Sequence, residues 1–224
     1  MNTNYVIRKK EYYYIMKYSN WKTILNNYVK KNYKEYIIVT VLFIIGIFIG
    51  VMIINSSQEN QVNEISTYIN EIITKYKELN NINKFELVIK SIKRNLLFAI
   101  VIWSAGTTVI GIPIVLIMIL IRGIVLGFTI SSIIITLGTL KGILFCMIAL
   151  VLQNIIHIPA ILTIGTSSIK LYKSIIKDKR KENIKIELIR HTIICILMIV
   201  LLILSEIIEN YISFKLIKKM IKYF

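Results

Sequence analysis

Between Leu96 and Leu171 nearly every position is apolar, and the tract is interrupted chiefly at Gly111-Ile112-Pro113, Arg122-Gly123 and Gln153-Asn154. An uncharged run, Tyr36 to Ile54, precedes it, and a further apolar run, Leu188 to Leu204 with Arg190 near its start, follows. Uncharged runs of this length bury their own backbone hydrogen bonds as helices and leave apolar side chains on every face, which suits lipid and not water. The pattern predicts an all-α, polytopic membrane bundle of about five spans over residues 36–210: 36–54, 96–121, 124–137, 143–169 and 188–204.

The helix breaks are read from proline and glycine. Pro113 has no N–H and its ring clashes one turn back, so a kink is expected near Gly111, with Thr107 and Thr108 placed to cover the freed carbonyls. Residues 96–121 would form a helix of about 39 Å, longer than the ~30 Å hydrocarbon layer. This parse sets Arg122 at the cytoplasmic interface. A rival parse breaks the chain at Gly111 and carries Arg122 into the membrane, at roughly 2.5–3.5 kcal/mol. Gly46-x-x-x-Gly50 and Gly123-x-x-x-Gly127 offer grooves for close helix approach, and Thr129, Ser131 and Ser132 suit the same role. Gln153, Asn154 and His157 fall mid-span ahead of Pro159, where polar side chains must turn inward to find partners.

The segments between spans are amphipathic. Residues 1–35 are basic, with Trp21, Ile24, Leu25 and Tyr28 on one helical face, and read as a helix in the cytoplasmic headgroup layer. Residues 55–94 form the long polar segment. In it Ile65, Ile69, Ile72, Tyr76 and Leu79 make a heptad-like stripe too short for a coiled coil, open to the protein's own bundle or to a partner helix. Residues 211–224 form a basic amphipathic tail.

Composition sharpens this picture. The chain of 224 residues is 56% hydrophobic, with a formal net charge of +16 and a mean hydropathy of +0.69. The cations cluster between apolar runs, which favours anionic lipid contact over nucleic-acid binding. With five spans and the N-terminus inside, inner segments carry 17 Lys and Arg and outer ones 11, so the positive-inside rule favours the C-terminus outside; a sixth crossing, made by breaking the chain at Gly111-Ile112-Pro113, is the alternative and would bring the four C-terminal lysines inside. Cys146 and Cys195 lie in apolar runs, as buried thiols do.

Catalytic chemistry has little to stand on. His157 and His191 are the two histidines, no metal-ligand or nucleophile motif accompanies them, and Glu206 reads as an interfacial anchor. The expectation is a protein that is not an enzyme and holds no metal or cofactor. A permease subunit with a site near Gln153 and Asn154 is the alternative.

The run Gly106 to Pro113, the run Arg122-Gly123-Ile124-Val125-Leu126-Gly127-Phe128 and the run Leu152-Gln153-Asn154-Ile155-Ile156-His157-Ile158-Pro159-Ala160 occur in that order. Together with Gly46 to Gly50 they resemble the stage II sporulation protein M family, over about residues 35–210. The resemblance implies a five-span cell-membrane protein acting in engulfment at the septal, mother-cell membrane. It implies a scaffold for two peptidoglycan-degrading partners, stage II sporulation proteins D and P, without hydrolase activity of its own. On that reading the Ile65 to Leu79 stripe is a candidate docking surface, and a homo-oligomer is open.

Overall fold

The computed structural model describes residues 27–78, 84–177, 181–209, 211 and 216. The expected headgroup helix of residues 1–35 falls mostly outside these, as does nearly all of the 211–224 tail. Among the described residues the chain is helical throughout: α1 (Tyr33–Asn55), α2 (Glu59–Glu78), α3 (Lys84–Gly106), α4 (Gly111–Leu137), α5 (Thr139–Cys146), a π-helical turn (Met147–Val151), α6 (Leu152–Lys177) and α7 (Lys181–Ile208). Helices α1, α4, α6 and α7 are long and apolar enough to cross a membrane. The polytopic helical bundle expected from the sequence is the fold observed.

The boundaries in the middle of the chain differ from the expected spans 96–121 and 124–137. The break falls at Thr107–Ile110, and Gly111 to Leu137 is one uninterrupted helix. Pro113 therefore sits in the first turn of α4, where a missing N–H leaves no intrahelical bond unmade, and it starts the helix instead of kinking it. Thr108 secures the corner. Its hydroxyl donates to the Ala105 carbonyl (3.0 Å) and accepts from the Gly111 N–H (3.0 Å). Thr107 covers the Ser104 carbonyl at 2.7 Å. Both threonines cap α3 as expected, but at a turn between two helices. Gly111 is packed so closely against the Ala105 carbonyl that a side chain there would collide with it. As a consequence Arg122 lies eleven residues into α4, about 17 Å along its axis, and not at an interface.

Two glycine pairs join α1 to α4. A β-carbon on Gly46 would stand 3.1 Å from the Gly123 Cα and closer still to the Leu120 carbonyl. One on Gly127 would strike the backbone of Ile47, and one on Gly50 the carbonyl of Ile124. Position 46 meets 120–124 and position 50 meets 124–128, so the two helices run parallel. In lipid there is no hydrophobic drive to pair them, so close backbone contact supplies the attraction through dispersion. The buried face of α1 is the stripe Val39, Phe43, Gly46, Gly50 and Ile54. Ile37, Ile38, Val41, Ile44, Ile45, Phe48 and Met52 point outward, as lipid-facing side chains do.

Contacts at the helix ends fix the directions of the rest. Glu35 at the start of α1 accepts from Lys173 near the end of α6 (2.6 Å), and Tyr36 meets Thr163 at 3.0 Å. Lys170 and Arg190 flank Glu187 across the α6–α7 junction. These groups gather the start of α1 and the α6–α7 turn at one basic end. From the far end the chain descends through α5, the π-turn and α6, Pro159 included, and α7 returns. The expected span 143–169 is thus part of a longer path, 139–177.

Helix α2 packs on its own bundle. Ile69 and Ile73 lie half-buried against Ile133, Phe145, Cys146 and Ala149 of α4, α5 and the π-turn. Ser66 accepts a hydrogen bond from Thr136 (3.2 Å), and Ile65 lines a crevice with Val62, Ile54, Ser132 and Ile135. Ile65 and Ile69 of the stripe thus face the bundle, the first of the two settings the pattern left open, and Ile72 is half-buried. Tyr76 continues α2, and Leu79 lies outside the described residues.

Candidate functional site: a polar cluster inside the bundle

Four helices deliver polar side chains to one place in the apolar belt. Helix α3 brings Asn95, α4 brings Arg122, α6 brings Gln153 and His157, and α7 brings Ser205 and Glu206. Asn95, Gln153, His157, Ser205 and Glu206 are all buried. Polar groups at such depth persist only where each finds a partner, and the partners form a chain of bonds.

The Arg122 guanidinium donates to His157 Nε2 at 2.6 Å. Arginine has no acceptor, so Nε2 must accept and the imidazole hydrogen must sit on Nδ1. That N–H points to Ser205 Oγ at 3.2 Å, and the Ser205 hydroxyl donates in turn to the Leu202 carbonyl at 2.7 Å. Arg122 also donates to the Asn95 side-chain Oδ1 at 3.4 Å and lies over the Phe98 ring at 5.5 Å. The amides of Asn95 and Gln153 both donate to Glu206 Oε1, the latter at 3.0 Å. His157 Nδ1 lies 3.9 Å from the same oxygen. The cluster thus joins one guanidinium to one carboxylate through neutral amide and imidazole intermediaries, and it ties α3, α4, α6 and α7 to each other.

The π-turn explains Asn154. Widening the helix at Met147–Val151 leaves a carbonyl out of register, and Asn154 Nδ2 donates to Leu150 O at 2.8 Å. Beside it a cavity of about 270 Å³ opens between α1, α4 and α6, with Arg94, Arg122, Thr129, Gln153, Asn154, His157 and Glu209 on its walls. Near the basic end a smaller knot forms. His191 is bonded to Ser167 (2.9 Å), and Cys195 Sγ lies 3.6 Å from its Nε2. Both cysteines are buried and free, as their surroundings in the sequence suggested.

Of the residues singled out from the sequence, Gln153 and His157 do meet in one cluster. Glu206 is an error of placement: it is fully buried at the centre of the cluster and not an interfacial anchor. Asn95 and Ser205 were missed. The signal available was charge matching, since Arg122 and Glu206 each interrupt long uncharged runs and opposite charges at depth pair.

The motifs behind the resemblance converge here. Gly46 to Gly50 packs on the glycines of the Arg122 motif, and Arg122 bonds the histidine of the Gln153 to Ala160 motif. Residues 39–214 match the family model described as Stage II sporulation protein M, which spans most of the chain. The chain belongs to this family. It is accordingly a sporulation-related, multi-pass membrane protein. Nothing among curated proteins or solved structures matches it. The matched region of the Stage II sporulation protein M family takes in the cluster, the cavity and the α1–α4 glycine contact, and leaves out the basic residues before Val39.

Proposed function

We propose that this protein is a non-enzymatic anchor. It holds the peptidoglycan-degrading sporulation proteins D and P at the septal, mother-cell membrane while that membrane engulfs the forespore. Family membership carries this reading. The geometry supports it, because His157 is held by Arg122 and Ser205, and Glu206 by Asn95 and Gln153, in hydrogen bonds that tie helices together. A group so engaged is a poor general base or nucleophile.

With the isoleucine stripe turned inward, the docking face is the opposite side of α2. Asn63, Glu64, Thr67 and Glu71 are exposed there, and Tyr68 stands out with 65% of its surface free. An exposed tyrosine ringed by polar groups is a frequent interface anchor. Tyr68→Ala, in protein that still inserts, is expected to abolish co-purification of protein P and to stall engulfment in sporulating cells. Unchanged co-purification, with engulfment completed on schedule, would refute the anchor role for α2.

A further inference from the structure

The cavity beside the polar cluster has no part in the anchor role. We propose that it is a binding site for the phosphate-bearing headgroup of a membrane lipid, whose acyl chains stay in the bilayer. The walls are of two kinds. Arg94 and Arg122 supply guanidiniums, and Gln153, Asn154 and Thr129 add polar groups. Phe43, Val125, Leu126, Ile158 and Ile161 are apolar. Such a lining fits an amphiphile better than a bare ion or a dry hydrocarbon.

Size argues the same way. A volume of about 270 Å³ falls just under the ~300–1,000 Å³ of pockets that enclose drug-sized ligands, which suits a headgroup and not acyl chains. Val125 on the cavity wall is 51% exposed, so the acyl chains would leave past it.

Charge selects the headgroup. Arg94 is exposed and Arg122 half-buried, while Glu206 is absent from the walls, held aside by the amides of Asn95 and Gln153. Glu209 is the single carboxylate on the lining. On the walls themselves two guanidiniums face one carboxylate, and guanidinium binds phosphate oxygens in bidentate fashion.

The test uses the full-length protein in dodecyl maltoside micelles carrying phosphatidylglycerol, with diacylglycerol as the phosphate-free control and inorganic phosphate as a separate arm. Native mass spectrometry should show phosphatidylglycerol retained about tenfold better than diacylglycerol, a difference that charge-assisted hydrogen bonds readily supply. Arg94→Gln removes a rim charge on an exposed residue, and Thr129→Phe fills the cavity without changing charge. Each should cut retention to near the diacylglycerol level. If Thr129→Phe does not fold, Arg94→Gln decides alone. Equal retention of the two lipids, or undiminished retention in Arg94→Gln, would overturn the proposal. So would equal thermal protection by inorganic phosphate, which would make the cavity a site for a soluble anion.

Discussion

Gly127→Leu is expected to leave almost no folded protein in the membrane, and Gly127→Ala to destabilise it by about 1–3 kcal/mol, the usual range for forcing a methyl group into a filled contact. The reason is what the new atom would meet. At Gly127 it is the backbone of Ile47 (Cα at 2.9 Å), which cannot rotate away as a side-chain tip can. Relief requires α1 and α4 to separate, and separation forfeits dispersion along the whole shared face. Gly50→Ala should act alike, for the same reason at Ile124. Gly165→Ala is the control, because its β-carbon would meet the Cδ1 end of the Ile119 side chain and not backbone. Thermal unfolding in detergent ranks the three, and equal tolerance of Gly127→Ala and Gly165→Ala would contradict the α1–α4 contact.

The second large effect concerns the buried charges. Glu206→Leu should destabilise the bundle by about 3–5 kcal/mol, the range for breaking a buried pair, because it strands the amides of Asn95 and Gln153 and removes the one fully buried carboxylate from the cluster that holds Arg122. Arg122→Met should cost a similar amount, since it removes the donor to His157 Nε2. The double variant should be more stable than the sum of the singles implies, because removing both charges removes the desolvation penalty along with the attraction. Strict additivity in unfolding measurements would show that the two groups do not share a network.

The sequence made the class of this protein plain and its interior only partly so. Long uncharged runs have one physical solution in lipid, and the Gly46 and Gly123 motifs announced close contacts that the structure pairs with each other. Span boundaries were harder to read. Proline permits both a kink and a helix start, and the choice rests on Thr108 closing the corner, a local bond that periodicity does not report. Choosing the kink placed Arg122 at an interface, since a lone buried arginine looks prohibitive until its partners are known. Those partners, Asn95, His157 and Glu206, are 27, 35 and 84 residues away in sequence, and only the packed bundle brings them together. The isoleucine stripe was read correctly as amphipathic, but a pattern cannot tell its own bundle from a stranger's helix.

The central claim is that α4 crosses the membrane unbroken, so that its charge is locked inside the bundle. Labelling with a membrane-impermeant maleimide tests it directly, in inside-out vesicles carrying protein with Cys146 and Cys195 replaced by alanine. A cysteine at Ile110, which is 84% exposed at the α3–α4 turn, should react rapidly. A cysteine at Ile121, beside Arg122 on the outward face of α4, should be protected by lipid. Labelling of the Ile121 position as fast as the Ile110 position would place Arg122 at a water-facing turn and contradict the buried cluster.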